Sequence, residues 1–175
     1  MKRYVGLLTF VFLVLLFGCS SDKYVSLPYS IKNAYKNNNV IDIYCGNKYY
    51  NLDKLESFIS SVKNGEKEKI RIVSYNYDER LGKLLLDYPE HIYDLSFDGK
   101  RINIIIYNTM SSSENKLIKT DSKSFKAINK IESKNDTQYV IESNNDRIVI
   151  LSAVKNGCID DNVQKYIEEK LKEAD

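Results

Sequence analysis

The stretch YDLSFDGKRINI, residues 93–104, decides the fold, because it holds two runs of alternating polar and apolar side chains with a turn between them. Asp98-Gly99 between two such runs is typical of a two-residue β-hairpin loop. If these two residues form the loop, Leu95 faces Ile102 and the apolar side chains of both runs share one face. A slip of one residue would mix the two faces, so the pattern predicts both an antiparallel hairpin and its register.

The residues before the hairpin predict a β-α-β unit. Val40–Cys45 is rich in β-branched side chains, which favours a strand. A helix is predicted between an N-cap at Asn51 and a stop at Gly65. Its apolar face consists of Leu52, Leu55, Phe58, Ile59 and Val62. A second strand is predicted over Lys69–Tyr77, where apolar side chains occupy both faces.

The residues after the hairpin predict further strands and a final helix. Met110–Lys123 is rich in Ser, Asn and Lys and is expected to be a loop. Ala127–Glu132 is expected to pair with a strand that starts at Thr137, and another strand follows the polar turn Asn144-Asn145-Asp146. A helix is predicted from Asp160 or Asp161. Its apolar face holds Val163, Ile167 and Leu171.

This order of elements predicts an α+β fold, with a mixed or antiparallel sheet (β-α-β and then a β-meander), helices packed on one face and a C-terminal helix. Residues 40–175 are expected to form one domain, because their number suits a single core. Residues 19–39 are polar and contain Pro28, which favours a tether. Within that tether Ile31, Ala34 and Tyr35 have helical spacing, so a short helix is expected there.

The amino terminus has the order of a secretory signal, with a basic head, Met1-Lys2-Arg3, and an apolar run, Tyr4–Phe17. This run is shorter than the ~20 apolar residues that a transmembrane helix needs. Leu16-Phe17-Gly18-Cys19 is similar to the lipobox of bacterial lipoproteins. The resemblance implies that residues 1–18 are removed and that Cys19 carries a diacylglyceryl group with acyl chains such as palmitate. It also implies attachment to the extracytoplasmic face of the cell membrane.

Loss of the signal changes the charge balance of the chain. The whole sequence has 26 Lys and Arg against 24 Asp and Glu. Lys2 and Arg3 leave with the signal, so the mature side-chain charge is about zero, and the remaining lysines are interleaved with acids. A nucleic-acid partner would need a concentrated basic surface. The sequence therefore predicts no nucleic-acid binding.

Cys19 is assigned to lipid, which leaves Cys45 and Cys158 as the other two of three cysteines. An exported pair can oxidise to a disulfide that would tie the front of the domain to its back. Alternatively, Cys45 ends a strand and is a buried free thiol.

Residues with catalytic or metal-binding chemistry form no recognised motif. His91 is the only histidine, and a Cys–His nucleophile pair would also need an orienting group and an oxyanion site. A surface His91 is the simpler interpretation. One His and two distant Cys have no zinc-ligand spacing. The acids that could form a catalytic carboxylate pair are Asp42, Asp53, Asp78, Glu79 and Asp87. We predict no catalytic residue, metal or cofactor.

Tyrosine is unusually common, with 14 Tyr against 6 Phe and no Trp. Tyr49, Tyr50, Tyr75 and Tyr77 could line a face that binds a peptide or glycan, because the tyrosine ring is amphipathic. The alternative is that these residues follow the strand preference of half-buried tyrosine.

Several short motifs occur in the order seen in a family of small bacterial lipoproteins. They are Asn51–Leu55, Phe58, Val62–Gly65, Ile70–Val73, Tyr75, Asp94-Leu95 and Phe97–Lys100. Over Asn51 to Thr109 the chain thus resembles domain of unknown function family 4362. This chain has Asp78–Gly82 where the family tends to have an acidic-Gly-Asp-Pro stretch. The resemblance implies no activity and assigns no functional residue.

The sequence therefore predicts a lipid-anchored protein of the cell envelope that binds rather than catalyses. Its expected partners are the membrane, through Cys19, and an envelope protein, peptide or glycan. The second hypothesis is a hydrolase that acts on an envelope substrate through two carboxylates.

Overall fold

A computed structural model describes residues 24–26, 29–44, 49–76, 88–108, 116–154 and 161–172. Three helices occur in these ranges. They are α1 (Ile31–Lys36), α2 (Leu52–Asn64) and α3 (Asp161–Lys172). No helix among these residues is long and apolar enough to cross a bilayer.

A seven-stranded mixed sheet forms the centre of the molecule, with the order β1-β7-β6-β5-β4-β2-β3. Its strands are β1 (Tyr24–Ser26), β2 (Val40–Tyr44), β3 (Tyr49–Tyr50), β4 (Glu68–Asn76), β5 (His91–Phe97), β6 (Ile102–Asn108) and β7 (Lys116–Phe125). The predicted β-α-β unit is confirmed, because β2 and β4 pair in parallel and α2 connects them. All other pairs in this sheet are antiparallel.

A second, three-stranded antiparallel sheet has the order β10-β9-β8. Its strands are β8 (Ala127–Glu132), β9 (Asp136–Ser143) and β10 (Asp146–Val154). Both predicted turns in this region are confirmed, because Ile128 pairs with Ile141 and Ile141 pairs with Ile148. The C-terminal helix is also confirmed, and its Ile167 and Leu171 are buried.

The two faces of the large sheet are covered by different layers. The front face, which carries Val40 and Ile72, packs against α2 and the small sheet. The back face, which carries Ile41 and Val73, packs against α1 and α3. The α+β class with a mixed sheet is therefore confirmed. The helices, however, lie on both faces rather than one, because β2 and β4 are apolar on both sides and each side needs a cover.

Of the two predicted end signals of α2, the glycine stop acts as the sequence indicated and the asparagine cap does not. Gly65 ends the helix with φ +75°, a left-handed conformation that glycine adopts without steric cost. Asn51 occupies the N-cap position, but its side chain does not cap the helix. Instead, the Asn51 side-chain amide donates a 2.9 Å hydrogen bond to the carbonyl of Asn39. This bond joins the start of α2 to the start of β2.

The β5–β6 hairpin is confirmed, but its predicted register is wrong by two residues. Ile102 pairs with Phe97, and Leu95 pairs with Ile104. The Asp98 carboxylate accepts hydrogen bonds from the backbone N–H groups of Lys100 and Arg101, both at 2.8 Å. These bonds centre the turn one residue later than Asp98-Gly99. The pairing moves by two residues, so the apolar side chains remain on the same face.

The prediction of a loop over Met110–Lys123 is wrong for its second half. β7 begins at Lys116 and pairs with β6 as far as Phe125. The strand was hidden because Leu117 and Phe125 are its fully buried side chains, while every position from Lys119 to Ser124 is polar. Residues 109–115 lie outside the described part of the chain.

Part of the predicted tether packs onto the domain. The short helix is confirmed as α1, and its Ile31 and Ala34 are 2% and 0% exposed against the back face. Before it, β1 pairs with β7. Ordered elements are thus present well before residue 40, where the domain was expected to start. Cys19 and the signal lie outside the described residues.

Candidate functional site

Three polar side chains form a row across neighbouring strands on the front face. Asp42 of β2 is opposite Ser74 of β4, and Ser74 is opposite His91 of β5. Ser74 is 2% exposed, and its hydroxyl donates a 3.0 Å hydrogen bond to the Asp42 carboxylate. This polar row, defined as Asp42, Ser74 and His91, continues the line of the core residues Val40 and Ile72. It therefore follows directly on the apolar part of β2 and β4 on this face.

Two tyrosines flank the polar row. Tyr49 of β3 is opposite Asp42, and its hydroxyl donates to the carbonyl of Ser152 in β10. The ring of Tyr93 lies 4.9 Å from the ring of His91 in a tilted arrangement. Both tyrosines are half-buried and pack against the front core. The row is thus part of the large sheet, and β10 lies beside its Asp42 end, where Tyr49 is.

Additional acids lie near these tyrosines. The carboxylate of Asp136 accepts a 3.0 Å hydrogen bond from the Ser152 hydroxyl. Burial raises the pKa of Tyr49, and the negative charges of Asp42 and Asp136 raise it further. Burial also raises the pKa of Tyr93, with contributions from Asp42 and Glu90. Asp42 therefore acts on both tyrosines, whereas Asp136 acts on Tyr49 and Glu90 acts on Tyr93.

Burial changes the titration of the polar row itself. It raises the pKa of Asp42 from 3.8 to about 6, while the Ser74 hydrogen bond opposes the shift and the charge of Glu90 adds to it. Burial lowers the pKa of His91, and Glu90 opposes that change. Asp42 thus changes charge in mildly acidic solution. Such a group can hold or transfer a proton.

The row has the residue types of a serine hydrolase but a different geometry. In a catalytic triad the histidine lies between the serine and the aspartate, so that it can take the proton of the hydroxyl. Here Ser74 lies between the other two, and its hydroxyl donates to Asp42. Ser74 is also shielded from solvent. The arrangement is therefore unsuited to nucleophilic attack by Ser74.

The four tyrosines proposed as a binding face do not form one surface. Tyr75 is 0% exposed on the back face, and its hydroxyl donates a 2.7 Å hydrogen bond to the carbonyl of Tyr29. Tyr50 packs against the back core, whereas Tyr49 packs against the front core. Tyr77 lies outside the described residues. Of the four, Tyr49 alone is placed at the polar row within the described chain.

The described candidate acids likewise lie in different places. Asp42 is in the polar row, and Asp53 is 75% exposed on α2 beside Lys54. Asp78, Glu79 and Asp87 lie outside the described residues, as do Cys45 and Cys158. In the described ranges no group of His, Cys, Asp and Glu is arranged to hold a metal ion.

Sequence reasoning missed Glu90 as a neighbour of Asp42 and Asp136 as a neighbour of Tyr49. Glu90 directly precedes β5, and Asp136 begins β9, so neither is close to Asp42 along the chain. The alternation of β5 places His91 on the face of Leu95, which is a usable signal for His91 alone.

The fold and the polar row define a small α+β domain with two sheets and a polar site across β2, β4 and β5 of the larger sheet. Residues 37–140, more than half of the chain, match the family described as domain of unknown function (DUF4362), and the chain belongs to this family. No curated protein and no solved structure matches the chain. The family match covers the polar row but ends inside β9.

Proposed function

We propose that this chain is a lipoprotein held on the extracytoplasmic face of the cell membrane by a diacylglyceryl group on Cys19. The observation that carries the proposal is the run from Met1 to Cys19, with its basic head, short apolar stretch and lipobox-like end. The lipid chains gain about 0.8 kcal/mol for each buried CH₂ group, so two chains anchor a protein stably.

Globomycin, which blocks processing of lipoprotein signals, tests this anchor. The untreated protein should appear at the mature size and partition into detergent, and treatment should accumulate the precursor. Cys19→Ala should abolish detergent partition, whereas Ser20→Ala should leave it unchanged. A precursor size unaffected by globomycin, or a Cys19→Ala protein that still partitions, would contradict the proposal.

We further propose that the domain is a non-catalytic binding module whose site is the polar row. The supporting observation is the grouping of Asp42, Glu90 and Asp136 around Tyr49 and Tyr93. The side chain that reaches Asp42 is a hydroxyl rather than a cation. Carboxylates beside aromatic rings suit a ligand that donates hydrogen bonds or carries positive charge. An envelope protein, peptide or glycan with amino groups has this chemistry.

Photocrosslinking in intact cells tests the binding role. Tyr88 is 38% exposed and precedes Glu90 by two residues, so a photoreactive phenylalanine there should capture the ligand. The same group at Ser60, exposed on α2, is the matched control. We expect an adduct at position 88 that is absent at position 60 and lost with Glu90→Gln. Equal labelling at the two positions would contradict the proposed site.

A hydrolase remains the second candidate, because one observation favours it. Asp42 has its pKa raised to about 6 and lies in the field of Glu90. Glycosidases use such a pair, with a protonated acid and an ionised partner. The assay is release of reducing ends from envelope glycan by the purified lipoprotein. Release that Asp42→Asn and Glu90→Gln each abolish would establish the enzyme; no release above a boiled sample would leave the binding role.

A further inference from the structure

The chain between the lipid site and the sheet is short. Four residues, 20–23, lie between Cys19 and Tyr24, the first residue of β1, so five Cα–Cα steps join the two. We call this linker, residues 20–23, the leash. At about 3.5 Å for each extended residue, it spans at most ~17 Å from Cys19 to Tyr24. A lipid on Cys19 therefore holds Tyr24 within about that distance of the bilayer surface.

The position of β1 in the sheet decides which part of the domain the leash holds. β1 is an outermost strand of the seven-stranded sheet and pairs antiparallel with β7, with Tyr24 opposite Ile118. The opposite edge is formed by β2 and β3, next to Asp42 and Tyr49. Six strand spacings of about 4.8 Å separate the two edges, which is ~29 Å along the sheet. The sheet is thus wider than the leash is long.

We propose, on the basis of the lipid anchor proposed above, that the edge formed by β1 and β7 faces the membrane surface. The polar row then runs from His91 on the middle strand β5 to Asp42 on β2, so its Asp42 end lies on the side away from the bilayer, toward partners in the envelope. The charge of Lys123 on β7 is offset within the protein, because its ammonium group is paired with Asp146 at 2.9 Å and with Asp121 at 3.6 Å. The occupant of the β1–β7 edge is the lipid headgroup layer.

Fluorescence quenching in vesicles tests the orientation. The full lipoprotein carries Cys45→Ser and Cys158→Ser, and the lipid blocks the thiol of Cys19, so one introduced cysteine takes the dye. Ser122→Cys places it on β7, at an exposed position. Asp53→Cys places it at the start of α2, directly after β3. The vesicles contain phosphatidylglycerol and phosphocholine with a nitroxide on the headgroup.

We expect the dye at position 122 to be quenched at least twofold more than the dye at position 53. A flexible insert of twenty Gly and Ser residues between Ser21 and Asp22 should bring the ratio close to one. Equal or reversed quenching without the insert overturns the orientation while the anchor stands. Failure of the protein to sediment with the vesicles overturns the anchor, and the orientation with it.

Discussion

Asp42 is the residue at which burial and charge oppose each other most clearly. Its carboxylate is placed on the face that elsewhere forms the core, and burial raises its pKa to about 6. Between about pH 4 and 6 the folded protein therefore holds a proton that the unfolded chain has released. This group favours folding most at low pH, and its contribution is lost as the pH rises through the folded-state pKa.

The first prediction follows from this pH dependence of stability. The change in the free energy of unfolding caused by Asp42→Asn should be about 1–3 kcal/mol more favourable at pH 8 than at pH 4. One unit of pKa shift corresponds to ~1.4 kcal/mol. Urea unfolding at the two pH values measures the difference. Glu66→Gln, at an exposed position after α2, is the control and should show no such difference. An Asp42→Asn effect independent of pH would contradict the buried carboxylate.

Arg71 and Asp94 form the strongest ion pair on the back face of the large sheet. They are directly opposite on β4 and β5, and two guanidinium nitrogens contact the two carboxylate oxygens at 2.6 and 2.7 Å. The side chains are 30% and 27% exposed. Such bidentate pairs are stronger than single contacts because their geometry is fixed on both sides.

The second prediction concerns this pair. Asp94→Ala should lower the free energy of unfolding by ~2 kcal/mol, because it leaves a half-buried guanidinium without its carboxylate. Arg71→Ala with Asp94→Ala should cost less than the sum of the single changes. Arg71→Lys should retain only part of the stability that Arg71→Ala loses, since an ammonium group cannot form both bonds. Additive single effects in denaturant unfolding would show that the pair is not coupled.

At the level of elements, the sequence predicted those parts whose determinants are local. The α2 helix has a five-residue apolar face and a glycine stop, and both are present in the structure. The hairpin was predicted from its alternation, but its turn depends on hydrogen bonds from Lys100 and Arg101 to Asp98 that a dipeptide rule omits. β7 was missed because its pairing with β6 and β1 is tertiary. The polar row could not be assembled, because it joins three strands distant in sequence.

The third prediction concerns the end of α2. Gly65→Ala should lower the free energy of unfolding by about 1–2 kcal/mol, because alanine is strained at φ +75°. No atom lies within 4 Å of the added Cβ, so the cost is conformational rather than a clash. Gly65→Asn should cost less, since asparagine tolerates this conformation. Ser60→Ala, at an exposed position of α2, serves as the control and should change stability by less than ~0.5 kcal/mol. Equal stability of the alanine and asparagine variants would contradict this explanation.

For the whole molecule, the back face shows why the amino-terminal elements belong to the domain. Ile31 and Ala34 of α1 cover core residues that include Ile41 and Val73. The hydroxyl of Tyr75 also donates a hydrogen bond to the carbonyl of Tyr29, which lies before α1. A domain starting at residue 40 would lose this cover and expose apolar surface on β2 and β4.

The fourth prediction tests that boundary. A chain that starts at Ser20 should unfold cooperatively, whereas one that starts at Val40 should be at least ~3 kcal/mol less stable, because burial of Ile31 alone is worth about 2–3 kcal/mol and the Tyr75 hydrogen bond adds to it. Urea unfolding and the amount of soluble protein measure the difference. Ile31→Ala in the longer chain separates the packing of α1 from chain length and should reproduce a large part of the loss. Equal stability of the two chains would mean that residues 20–39 are a tether and not part of the domain. The linker between the membrane and the sheet would then be long enough to leave the domain free to rotate.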